Sequence, residues 1–134
     1  MSQFLLEIVT PERKVYGEEV DMIVVKGTAG ELGILPKHIP MVTPLKIAPV
    51  KIKLGQKEQW VAVNGGFMEV GKEKVVILAE SAELPEDINV ERARAARERA
   101  EERLRTKRDE IDFRRAELAL QRAMNRLDVT QKNS

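Results

Sequence analysis

The chain has 134 residues, room for one domain or one domain with an appendage, and its 23 basic and 22 acidic side chains nearly cancel. That balance is no polyanion-binding footprint, so nucleic acid is not expected as a partner. With no cysteine and His38 as the single histidine, disulfides, thiolate metal sites and histidine metal clusters are excluded.

Glycine and proline divide the chain. None of either occurs after Pro85, and every arginine except Arg13 lies in that last segment. Residues 1–85 carry 10 basic and 11 acidic groups, and residues 86–134 carry 13 and 11. The first segment uses lysine; the second uses arginine, whose planar fork binds carboxylate and phosphate in a way lysine cannot reproduce. No basic start followed by an apolar run suggests a leader, and no apolar stretch approaches the roughly 20 residues of a membrane span.

In chain order, residues 4–9 and 20–25 are short apolar strands. Val50, Ile52 and Leu54 alternate with Lys51 and Lys53, the period of a half-buried strand. Trp60, Val61 and Val63 continue the pattern up to a break, bulge or turn at Gly65-Gly66. Residues 67–70 and 75–78 form a hairpin turning at Gly71-Lys72. Trp60 and Phe67 read as core or interface aromatics. Short strands with turn residues between them indicate an antiparallel sandwich or flattened barrel.

Pro85-Glu86-Asp87 opens the helical segment, with proline and acids suited to a first turn. Ala93, Ala96, Ala100 and Leu104 form a narrow stripe; Phe113, Ala116, Leu120, Ala123 and Leu127 follow heptad spacing. Asp109 can cap a second helix, with Asp112 in its first turn. An antiparallel hairpin is therefore expected. Its seam of small residues buries little area at roughly 25 cal/mol per Å², and without a breaker at the turn it could straighten into one helix of about 40 residues.

A turn at Lys107 would place Arg92 opposite Arg122 and Ile88 opposite Arg126. Arg92, Arg99, Arg122 and Arg126 would then crowd one side, near Glu83 and Glu91, and such like charges repel unless an anion lies between them. A phosphate site and a solvated Arg/Glu surface both fit this pattern. There is no Walker loop. His38 has no nucleophile constellation and reads as a loop histidine. The segment 27–44, with apolar residues among glycines and prolines, is either a protein contact or a core-plugging turn.

Glu31-Leu32-Gly33-Ile34-Leu35-Pro36-x-His38-Ile39-Pro40, followed by Gly65-Gly66-Phe67-x-Glu69-Val70, resembles the epsilon-subunit family of bacterial F-type ATP synthases, most of all its thermophilic Bacillus type. Val9-Thr10-Pro11 and Arg122-Ala123 also fit, so the resemblance spans essentially the whole chain. It implies an N-terminal β-sandwich (1–85) followed by a C-terminal two-helix antiparallel hairpin (86–134). It further implies a non-catalytic rotor subunit on the cytoplasmic face of the bacterial cell membrane, peripheral to it. The implied partners are the gamma subunit, the c-ring and the catalytic alpha/beta subunits; Glu31, Leu32, Gly33, Ile34, Leu35 and His38 are the implied contact segment. Extended helices would hinder ATP hydrolysis.

In members of this type the folded hairpin binds ATP, alone or with magnesium, as a regulatory ligand, and no cofactor is required. The family pattern Ile/Leu-Asp-x-x-Arg-Ala corresponds to Ile88-Asn89-Val90-Glu91-Arg92-Ala93. The resemblance adds Glu83, Arg99, Arg122 and Arg126 as nucleotide-binding positions. Asn89 replaces the family's aspartate and would weaken binding about tenfold or more, since a hydrogen bond to a charged group is worth roughly 1.5–3 kcal/mol. The rival reading is a constitutive scaffold whose helices do not sense nucleotide; an independent enzyme lacks any nucleophile–base pair.

Overall fold

The computed structural model describes residues 2–106 and 109–132. Eight strands come first: β1 (Phe4–Val9), β2 (Lys14–Val20), β3 (Met22–Gly27), β4 (Gly30–Ile34), β5 (Met41–Leu54), β6 (Lys57–Val70), β7 (Lys74–Ala79) and β8 (Ala82–Glu83). A 3-10 turn at Pro85–Asp87 leads into α1 (Val90–Thr106) and α2 (Glu110–Lys132). The expected turn at Lys107 lies outside the described residues.

The strand order is β2-β1-β7-β6-β5-β3-β4, with β8 pairing β6. All ladders are antiparallel except β1 with β7, which is parallel, so the sandwich departs from the purely antiparallel expectation. A parallel pair needs a long crossover, and here the whole of β2 to β6 supplies it. The 67–70/75–78 hairpin forms as expected, Phe67 opposite Leu78 and Val70 opposite Val75.

Gly65-Gly66 is not a break. The ladder between β5 and β6 keeps its register from Leu54↔Lys57 to Met41↔Val70. The strand bends there and changes neighbours, from β8 at Ala62–Val63 to β7 at Gly66–Val70. Gly65 and Gly66 take left-handed φ of 85° and 125°. A Cβ on Gly66 would lie 2.1 Å from the Leu78 carbonyl oxygen, so the bend is closed to any side chain. One long hairpin thus belongs to both layers. The interior between them contains Leu6, Ile8, Ile23, Val25, Ile52, Val61 and Ile77, all at 0% exposure.

The helices attach through α2, which packs on β5 and β6, whereas α1 packs on α2. This burial explains the two-sided pattern of α2: Ala123 and Leu127 form one buried row, Asn125 and Val129 another. Asp109 caps α2 as expected, its Oδ1 accepting from the Ile111 and Asp112 amides at 2.8 and 3.3 Å. Ala93, Ala100, Ala116 and Ala123 are buried, but Phe113 is exposed and does not belong to the seam.

Candidate functional site

The cavity that gathers the arginines begins with a local capping problem. Beyond β8 the 3-10 turn closes with the Ile88 amide donating to the Pro85 carbonyl at 3.2 Å. The chain is then extended at Ile88. Asn89 starts α1 by accepting the Arg92 amide on its side-chain oxygen at 3.0 Å. Asparagine and aspartate cap equally well, so the departure at Asn89 costs the fold nothing. From this start α1 carries Arg92 and Arg99, seven residues and so about two turns apart, to the same cavity.

That cavity has a volume of about 440 Å³. Glu83, Ile88, Asn89, Arg92, Ala93, Arg99 and Arg126 line it, together with Asp87, Ala95 and Ala96. Arg126 reaches from α2 to Glu83 of β8 in a bidentate pair, Nε to Oε2 at 2.7 Å and Nη2 to Oε1 at 2.9 Å. Both side chains are about three-quarters buried, so the fork is a specific clamp between α2 and the sandwich. Asp87 pairs with Arg13 at 3.7 Å on the exposed rim, a contact worth little. Among the described residues, the guanidinium groups of Arg92 and Arg99 form no ion pair. The cavity therefore holds three arginines, one paired with Glu83 and two unpaired, beside the Asp87 carboxylate.

Arg122 does not line this cavity. Arg92 shares it with Arg126, and a neighbouring groove is shared by Arg97 and Gln121. α1 packs on α2, as the expected hairpin requires. Asp87, Ala95 and Ala96 were not expected at the site; the Pro-Glu-Asp turn was the available signal for Asp87.

The segment 27–44 is divided between the core and the surface. Glu31, Leu32, Gly33 and Ile34 belong to β4, paired with β3. Ile34 is fully buried in the core, so its side chain is unavailable to a partner. Glu31 and Gly33 are exposed, Leu32 and His38 half-buried. Leu35 is 56% exposed and Ile39 78%. Lys37 takes a left-handed φ of 66°, in a turn where the His38 amide donates to the Leu35 carbonyl at 3.2 Å. The His38 ring Nδ1 donates to the Ile39 carbonyl at 2.8 Å, so the histidine serves the turn.

A second surface escaped the sequence reading. Pro44, Phe67, Leu78 and Val9 stand opposite one another across β5, β6, β7 and β1, and Val42 follows two residues from Pro44 on the same face. Val42, Phe67 and Leu78 are 67%, 53% and 44% exposed. Together they form a contiguous exposed apolar row on the sheet face. Among the described residues no group of His, Cys, Asp and Glu is arranged to hold a metal ion, and no helix is long and apolar enough to cross a membrane.

Comparison with known proteins agrees with this architecture. The family described as ATP synthase, Delta/Epsilon chain, beta-sandwich domain matches residues 3–85, and the companion family described as the long alpha-helix domain matches residues 86–131. The ATP synthase epsilon chain of Alkalihalophilus pseudofirmus is 61% identical over 98% of this chain and 100% of its own length. That of Halalkalibacterium halodurans is 59% identical over 92% of this chain and 94% of its own. A chain in the cryo-EM structure of the Euglena gracilis mitochondrial ATP synthase superposes with a TM-score of 0.81 at 25% identity, covering 98% of this chain and 82% of that one. With both halves matched and near-full-length relatives at this identity, the chain belongs to the ATP synthase epsilon-chain family.

Proposed function

We propose that this chain is a non-catalytic central-stalk subunit of a proton-translocating F-type ATP synthase whose helical hairpin is a nucleotide-controlled brake on ATP hydrolysis. The observation that carries the reading is the cavity where Arg92 and Arg99 of α1 meet Arg126 of α2 and Glu83 of the sandwich. Only the docked hairpin brings these groups together. A triphosphate bound among them adds its full affinity to that state and little to an extended one, and a ligand shifts an equilibrium by its differential affinity alone. ATP, with or without magnesium, would therefore hold the hairpin down. When ATP is scarce the hairpin would open and its basic residues would engage the catalytic alpha/beta subunits. The apolar row through Phe67 and Leu78, with the exposed Leu35–Ile39 turn, supplies surfaces for the gamma subunit and the c-ring, which would keep the protein peripheral to the cell membrane.

Calorimetric titration of the full chain with ATP tests this. Binding is expected in the unaltered chain, loss in Arg126→Ala and about tenfold tightening in Asn89→Asp. No detectable binding at millimolar ATP in any form would remove the nucleotide-sensing part and leave the stalk assignment in place. The scaffold reading draws on Glu83, which already neutralises Arg126 without a ligand. Unchanged hydrolysis by an assembled synthase lacking residues 86–134 would favour that reading.

A further inference from the structure

A second groove, of about 620 Å³, opens where α2 crosses β5, and it shares no lining residue with the arginine cavity. Its walls include Lys26 of β3, Lys46 of β5, Arg97 of α1 and Asn125 of α2, with Asp128 as the one carboxylate. Among the described residues, none of these three cations forms an ion pair.

Two atoms of the lining residues are buried without partners: Nε of Arg97, a donor, and Oδ1 of Asn125, an acceptor. Asn125 is only 5% exposed. Its Nδ2 donates to the Val63 carbonyl and to Oδ1 of Asn64, each at 3.1 Å, which fixes the amide orientation and leaves Oδ1 as a buried acceptor without a partner. Buried polar groups are normally paired, so a complementary donor and acceptor both orphaned on one groove point to an absent occupant. Water would leave three cations against one carboxylate. An anion that carries its own hydroxyl answers both demands.

We propose that this groove binds a hydroxyl-bearing phosphate, whose oxygens accept from Arg97 and the lysines while its hydroxyl donates to Asn125. Monoprotonated inorganic phosphate carries its hydroxyl on phosphorus and a small polyol phosphate carries hydroxyls on its carbon chain, and the groove volume admits either. Because the walls come from β3, β5, α1 and α2, occupancy favours the docked hairpin. The site is independent of the nucleotide reading.

The test is titration of the full chain near neutral pH with inorganic phosphate, glycerol phosphate and sulfate, followed by calorimetry and by backbone amide resonances. Saturable binding is expected, with shifts centred on Ala48 and Met124. Phosphate should exceed sulfate several-fold, because sulfate has no hydroxyl to donate at that pH. Arg97→Gln should weaken phosphate binding about tenfold or more. Lys46→Gln, at an exposed position where folding is not at stake, should weaken it several-fold. Tighter binding of glycerol phosphate would support the polyol source, and tighter binding of inorganic phosphate the free anion. Absence of saturation with both phosphates, equal affinity for sulfate, shifts confined to the Arg92–Arg126 cavity, or unchanged affinity in both variants would overturn the proposal.

Discussion

The interior of the sandwich and the interface that holds the helices to it are built on different principles. The sandwich is filled by Leu6, Ile8, Ile23, Ile52 and Ile77, large side chains with no exposure. The helical side relies on Ala93, Ala100, Ala116 and Ala123, with Leu127 and Val129 as its larger buried side chains, and on a few directional contacts: Asn125 with Asn64, Arg126 with Glu83, and Lys132 over the Trp60 ring at 5.7 Å. Volume makes the first permanent, since deleting a buried Leu or Ile side chain typically costs about 2–5 kcal/mol. The second depends on alignment: each polar contact contributes little net stability but penalises a misplaced helix. The proposed cycle, in which the hairpin docks in one pose and leaves again, would be served by that second construction.

The comparison breaks most severely at Gly66. Gly66→Ala puts a methyl group into the Leu78 carbonyl at a left-handed φ, and a loss above about 3 kcal/mol is expected in denaturant unfolding of the whole chain. Asn125→Ala strikes the interface alone. Docking should weaken by about 1–3 kcal/mol as the Asn64 side chain loses its partner. Fluorescence of Trp60, the single tryptophan, should report the departure of Lys132 while the sandwich transition stays in place. A joint shift of both transitions would refute the division drawn above.

Asn89→Asp should leave stability within about 0.5 kcal/mol, because either residue caps α1, so any change in nucleotide affinity belongs to binding alone. The smallest effect concerns acid. The Lys74 and Lys14 ammonium groups, at 2.6 and 2.9 Å, hold the Glu7 carboxyl below the usual carboxylate range. A depressed folded value stabilises above the ordinary carboxylate pKa, and that contribution is lost as pH falls through the folded value. Glu7→Gln should flatten the acid limb of the stability profile by slightly lowering stability at neutral pH while leaving the acid end nearly unchanged, as read by denaturant unfolding across pH.

Much of this was legible in the chain. Alternation at Val50, Ile52 and Leu54 marked a half-buried strand, and Asp109 marked its helix start. β2 escaped because only Val15, Tyr16 and Val20 are buried in it, a pattern with no regular period. Gly65-Gly66 reads as a stop in sequence, since only the neighbouring strands reveal that the ladder runs through the bend. At the site, hairpin arithmetic brought Arg92, Arg99 and Arg126 to one side near Glu83, and these four line one cavity, which Arg122 does not line. Asn125 looks like an ordinary solvent-facing helix residue until α2 is seen to touch α1 and the sheet at once.

The bent β5–β6 hairpin has a mechanical consequence. Two stacked sheets joined only by loops can slide across each other when opposite faces are loaded, because only side-chain packing resists the shear. Here the same two strands run unbroken through both layers, and their ladder holds register from one end to the other. A twisting load entering one layer passes to the other along covalent backbone and a row of hydrogen bonds strained together, so the sandwich is stiff in torsion at the place where a rotating shaft would need it.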